Sequence, residues 1–184
     1  MTSDQSVERT FSIGGTVTTY SSQFAPQIFK TVSNRLLDVN KWHRLSDSLL
    51  PAFKVVDGEG TPISRIVREH DWIRIEPTSS ELDSDDFLRI ESVEYQSDPE
   101  SESEVLTIGV SRTSKPFYNV LGHARLLVND AVTTFRVFRK GLNITAELLN
   151  NVSSEPDANK KPVLGVHRIQ WRSFINGILN DLKV

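Results

Sequence analysis

No cysteine occurs in the 184-residue chain. That absence removes disulfides, thiol nucleophiles, thiolate metal sites and iron–sulfur clusters together. Long apolar runs are also missing. None approaches the ~18–20 residues of a membrane-spanning helix, and Met1 to Glu8 lacks a basic-then-apolar signal layout. We therefore expect a cytoplasmic protein with no membrane span. A basic excess is absent too: 21 Lys plus Arg stand against 24 Asp plus Glu, a net charge of −3. General nucleic-acid binding, which needs a basic face, is not expected. What is present is an ordinary globular balance, 38% hydrophobic and 24% charged, at a length that suits a single domain. A chain of this size buries about 70% of its unfolded surface and needs no cross-link.

The charges are unevenly placed. Glu69 to Glu104 holds thirteen acids against Arg74 and Arg89, a net of −11. Arg112 to Lys140 holds six bases against Asp130, a net of +5. Either acidic and basic strands pair within one sheet, or the basic segment forms a patch for an anionic partner.

Residues 1–9 read as a polar tail, and 150–162, with Pro156 and Lys160-Lys161, as a loop before the last element. Between them, Thr10–Tyr20 reads as a strand with Gly14-Gly15 inside it. Phe24, Ile28, Val32, Leu36 and Val39 then form one apolar face of a helix of about 16–18 residues, with Ser22 as its N-cap and Pro26 in its first turn. Short strands follow: Phe53–Val56, Ile63–Val67 after the turn Asp57-Gly58-Glu59-Gly60, and Trp72–Glu76 with Ile73 and Ile75 on one face. Phe87–Tyr95 and Val105–Arg112 form a hairpin around an acidic tip, Gln96–Ser103, expected to be mobile and functionally silent. Ser114–Ala131 resists assignment beyond a loop with a short helix near Leu121. Thr133–Arg139 and Leu142–Leu149 make a second hairpin, in which Phe135 and Phe138 cannot share a face. From Val163 a helical stripe of Val166, Ile169, Phe174, Ile178, Leu179 and Leu182 closes the chain. No internal repeat or second core is visible, so residues 1–184 are expected to form one domain.

A strand, a helix, a run of mostly antiparallel strands and a terminal amphipathic helix define an α+β fold. The strand Thr10–Tyr20, the helix end Leu36-Leu37-Asp38-Val39, the following Lys41-Trp42-His43 and the terminal Gln170-Trp171-Arg172-Ser173-Phe174 resemble the helix-grip fold of the START/Bet v 1-like (SRPBCC) superfamily. There a curved sheet wraps a long C-terminal helix. Asp71–Glu76, Phe87–Glu91 and Gln170–Ser173 also resemble a family of uncharacterised bacterial proteins. The superfamily resemblance implies a cavity between sheet and C-terminal helix for a lipid, sterol or aromatic compound. The lining candidates are Trp42, Trp72, Phe87, Phe135, Phe138, Trp171 and Phe174, with Phe135 ranked above Phe138. For each, packing in the core is the first reading and lining the second.

Catalytic signatures are sparse. His43, His70, His123 and His167 stand singly, without HxH, HxxxH or HExxH spacing, so no metal site is expected. Glu69-His70-Asp71 would splay its acids away from the imidazole on a strand. Asp83-Ser84-Asp85-Asp86 lacks the glycine and closing Glu of a calcium loop. No GxSxG elbow and no glycine-rich phosphate loop occurs, and no cofactor is expected. Three functions remain open: a non-catalytic binder of a small apolar or aromatic ligand, a protein-interaction module using the charged sheet surface, and a cyclase- or aromatase-like enzyme.

Overall fold

A computed structural model describes residues 9–47, 50–76, 86–113, 132–152 and 162–182. The expected readings at the N-terminal tail, Asp83–Asp85, Ser114–Ala131 and most of 150–162 lie outside these.

Seven antiparallel strands form one sheet: β1 (Arg9–Thr18), β2 (Ala52–Val56), β3 (Trp72–Glu76), β4 (Asp86–Asp98), β5 (Ser103–Thr113), β6 (Thr133–Lys140) and β7 (Asn143–Val152). Their order is β1-β7-β6-β5-β4-β3-β2, so β1 and β2 are its two edges. Helices α1 (Ala25–Leu37) and α2 (Arg168–Leu179), with a short 3-10 helix at Val39–Arg44, complete the α+β fold. The sheet curves, and a register shift between Ile90 and Ser92 marks a β-bulge in β4.

Period-2 alternation decides which side chains enter the core. Ile13, Ile73, Ile75, Leu88, Ile90, Leu106, Ile108, Phe135, Val137, Ile144 and Leu148 point inward and are buried. The helices seal this face. Ala25, Ile28, Phe29, Val32 and Leu36 of α1 and Trp171, Phe174, Ile175, Ile178 and Leu179 of α2 are buried against it.

Several boundaries differ from expectation for local reasons. Helix α1 spans 13 residues and begins after Phe24, not Ser22; the Ser21 hydroxyl accepts the Gln23 N–H at 3.2 Å instead. It ends at Leu37, and the chain tightens into the 3-10 helix that carries Trp42. Ile63–Val67 is not a strand. Its backbone docks on the helical layer: the Asn40 amide donates to Ile63 O at 3.0 Å, and Val67 N–H donates to Leu37 O at 3.0 Å. The acidic tip is shorter than predicted, because β4 runs to Asp98 and β5 starts at Ser103. The Ser101 hydroxyl and amide bond the Asp98 carboxylate there and hold its pKa below the usual carboxylate value. Helix α2 starts at Arg168, later than Val163. Val163 and Val166 exchange backbone hydrogen bonds at 2.9 and 3.0 Å across Leu164 and Gly165, both at positive φ, a two-residue turn before the helix. His167 N–H then donates to Gln170 Oε1 at 3.1 Å, closing the start of α2.

The charge asymmetry resolves in part into cross-strand pairs. Arg139 on β6 donates to Glu104 on β5 at 2.7 Å, and Arg112 on β5 to Asp86 on β4 at 3.1 Å. Each pair joins a base of the +5 segment to an acid of the −11 segment. A third pair, Arg136 with Glu147, joins β6 to β7. These bonds hold the sheet as cross-strand pairs do.

Candidate functional site

The aromatic residues nearest α2 form a continuous cluster. Trp42 sits at its centre, with ring centroids 5.4 Å from Phe53, 5.2 Å from Phe135, 5.9 Å from Trp171 and 4.9 Å from Phe174. Phe135 and Trp171 are 5.2 Å apart, and Trp171 and Phe174 5.8 Å. All five are fully buried. Most contacts are tilted or edge-to-face, the arrangement aromatic quadrupoles favour. Both indoles are satisfied by backbone carbonyls: Trp42 Nε1–H donates to Leu36 O at 3.0 Å and Trp171 Nε1–H to Val163 O at 2.8 Å.

Four of the six principal lining candidates, Trp42, Phe135, Trp171 and Phe174, are thus brought together, with their rings against one another. Phe53 joins them unanticipated. Its alternation with Val55 was the available signal, since both are wholly buried. Trp72 and Phe87 are not part of this cluster. Ile73 and Leu88 pair across β3 and β4 and point inward, so Trp72 and Phe87 take the opposite face. There the Arg89 guanidinium lies 5.4 Å from the Trp72 ring. Phe138 also faces outward, with the Arg136 guanidinium 5.1 Å from its ring.

Open space lies elsewhere, where the end of β1, the start of α1 and the end of α2 converge. A cavity of about 420 Å³ is lined there by Val17, Thr18, Thr19, Tyr20, Phe24, Ile28, Leu179 and Leu182. Three local features create it. Gly15 carries no side chain, so Leu179 closes on β1; a Cβ at Gly15 would stand 3.0 Å from Leu179 Cδ1. The chain then turns from β1 into α1 over Ser21–Phe24, leaving Tyr20 fully exposed and Phe24 43% exposed at the mouth. Leu182 continues the wall beyond the end of α2. The two threonine hydroxyls are already occupied: Thr18 Oγ1 donates to Asn143 Oδ1 at 2.8 Å, and Thr19 Oγ1 donates to Leu142 O at 3.2 Å. Among the described residues, no carboxylate, imidazole or amine lines the space. Sequence reasoning missed this site, although Phe24 and Ile28 opened one predicted helical stripe and Leu179 and Leu182 closed the other.

Arg35 braces one wall. From α1 its guanidinium donates to Ile178 O at 3.0 Å and Asp181 O at 3.3 Å, and also to Asn180 O. These are the unpaired carbonyls at the C-terminus of α2, where a cation also meets the negative end of the helix dipole. Arg35→Met should keep the aliphatic packing and free these carbonyls, costing about 1–2 kcal/mol. Chemical denaturation would register the loss, and faster amide exchange in the last turn of α2 would localise it.

Titratable groups elsewhere form no catalytic constellation among the described residues. His70 is exposed in a turn with φ of 71°, and Asp71 beside it is held by Arg65 at 2.6 and 2.9 Å. Hydrogen bonding to Asp71 raises the Arg65 pKa. Arg168 stacks 3.7 Å from the centre of the Phe11 ring, and burial lowers its pKa. His43 is half-buried, and His167 starts α2. No group of three His, Asp or Glu among the described residues is placed to hold a metal ion. No helix among them is long and apolar enough to cross a membrane.

The order of strands and helices is that of the helix-grip class. Among solved structures, the chain is similar to ginseng major latex-like protein 151 from Panax ginseng, at 8% identity over 94% of each chain with a TM-score of 0.43. It is also similar to Ara h 8.0201, at 9% identity over 95% of this chain and 98% of that one, with a TM-score of 0.43. Truncated norcoclaurine synthase from Thalictrum flavum follows at 10% identity, covering 96% of this chain and 95% of that one, with a TM-score of 0.43. The likeness is one of fold alone. No family model and no curated protein matches the chain, so the resemblance to uncharacterised bacterial proteins has no support.

Proposed function

We propose that the protein is a non-catalytic binder of a small apolar ligand, held where β1, α1 and α2 converge. The observation that carries this reading is the cavity of about 420 Å³ with its mainly apolar lining. That volume falls within the ~300–1,000 Å³ of small-molecule sites. Because both threonine hydroxyls have protein partners, burial of apolar surface would supply the affinity and shape the selectivity. Among the described residues the lining brings no carboxylate, imidazole or amine together, which favours carriage or sensing over catalysis. The site still lies between sheet and C-terminal helix, displaced from the aromatic cluster to the open end.

Titration with the fluorescent probe 1-anilinonaphthalene-8-sulfonate tests the reading. Val17 is half-buried on the inner face of β1 and points into the cavity, so Val17→Phe should fill it without entering the aromatic cluster. The probe should bind the native protein, and the variant should lose at least ~tenfold in affinity, a change of about 1.4 kcal/mol. Equal affinity for both proteins would rule the site out.

A further inference from the structure

Among the described residues, the outward edge of β1 is bare. Thr19 N–H donates to Leu142 O at 2.9 Å, which sets the hydrogen-bonding phase of β1 against β7. Phe11, Ile13, Gly15 and Val17 therefore exchange backbone bonds with β7, while the N–H and C=O of Ser12, Gly14, Thr16 and Thr18 point away. Side chains agree with this phase. Thr16 Oγ1 lies 2.7 Å from Thr145 Oγ1, and Thr18 Oγ1 2.8 Å from Asn143 Oδ1, the close approach of non-hydrogen-bonded pairs. Among the described residues, nothing bonds to the outward amides and carbonyls of these four positions.

The opposite edge is closed. Strand β2 has only five residues, one of them Lys54. Val55 N–H donates to Asn40 Oδ1 at 2.9 Å, Val55 O accepts from Ile63 N–H at 2.7 Å, and Val56 bridges to Pro62. A short, charged, covered strand is how proteins prevent edge-to-edge pairing. Strand β1 has the reverse features: ten residues, no proline, and no Lys, Arg, Asp or Glu from Thr10 to Phe29.

We propose that β1 pairs antiparallel with β1 of a second copy of this chain, about a two-fold axis at Gly14, so that two seven-stranded sheets run on as one. The strand is self-complementary in three respects. It carries no charge that would meet its like across the axis. On the outer face, Ser12 falls opposite Thr16 of the second copy. On the inner face, Ile13 falls opposite Gly15 and Phe11 opposite Val17, larger against smaller each time. Such an interface is isologous, each contact occurring twice. From Thr10 to Thr18 an unlike partner would find no charged group to select it.

Sedimentation velocity over a concentration series, with amide exchange read residue by residue, tests this. The native chain should form a concentration-dependent dimer, with the amides of Ser12, Gly14, Thr16 and Thr18 gaining protection as it assembles. Gly14→Lys should disrupt the dimer and leave the monomer folded. A Cβ at Gly14 meets only ordinary contacts, 3.5 Å from Glu147 Cβ and 3.6 Å from Ala146 O. Within one copy the new ammonium faces Glu147, but across the axis it meets its own duplicate. Dimer dissociation should strengthen at least ~tenfold, the effect of about 1.4 kcal/mol. Thr16→Pro, which removes one outward N–H and none of the bonds to β7, should act in the same direction. A monomer at every concentration would overturn the proposal and leave the edge to an extended segment of another protein. A dimer indifferent to both substitutions would overturn it in favour of a different face.

Discussion

Gly177→Ala should destabilise the protein by about 3 kcal/mol, the upper end of the usual cost of overpacking. On an isolated helix the same change is favourable by about 0.8–1 kcal/mol, because alanine is the better helix former. The sign reverses here because α2 is docked on backbone. A Cβ at Gly177 would lie 1.4 Å from Leu45 O and 2.5 Å from Leu45 C. One turn earlier on the same face, Ser173 Oγ accepts the Asp47 N–H at 2.9 Å and meets Ser46 Oγ at 3.0 Å. The segment after the 3-10 helix is thus fastened at Ser173 and pressed onto Gly177, and neither backbone has a flexible side chain to move aside. Urea denaturation of the two proteins would measure the difference. A variant as stable as the native chain would mean that α2 does not approach Leu45 this closely.

Trp42→Ala should cost about 3–5 kcal/mol, the range for truncating a core aromatic. The substitution removes the ring that touches Phe53, Phe135, Trp171 and Phe174 at once. It also leaves the Leu36 carbonyl without its indole donor in a buried setting, which adds to the loss. Trp72→Ala is the matched comparison. Trp72 is only partly buried on the outer face, and its stacking with Arg89 is worth about 0.5–1 kcal/mol. Denaturant midpoints should therefore fall far more for the first variant. Equal losses would contradict the division of aromatics between the two faces.

That division shows how far the sequence could be read. Phe24, Ile28, Val32 and Leu36 at intervals of four located α1, and Ile73 and Ile75 against Trp72 and Arg74 located both faces of β3. The same alternation put Phe135 and Phe138 on opposite faces. It also argued against Trp72 as a lining residue, since Trp72 opposes the buried isoleucines of its own strand. Tertiary geometry was not legible in this way. Periodicity says that Trp42, Phe135, Trp171 and Phe174 seek the interior, but not that their rings meet with Phe53 among them. Nor does it reveal a cavity formed where two helix ends and a strand end fail to close, because its lining joins Val17–Ile28 to Leu179 and Leu182 from the far end of the sequence. Ile63–Val67 misled for a related reason: its alternating pattern is real, yet beyond the single bond from Ile63 N–H to Val55 O its backbone is bound by Asn40 and Leu37 rather than by a strand.

The account rests most on where an apolar ligand lodges. Methyl-resolved NMR during titration with 1-anilinonaphthalene-8-sulfonate separates the cavity from the aromatic cluster directly. The account predicts shifts at the methyls of Val17, Ile28, Leu179 and Leu182, with Ile73, Leu88 and Ile108 in the sheet core unmoved. Shifts centred on the sheet core instead, or no saturable shift in any methyl, would contradict it.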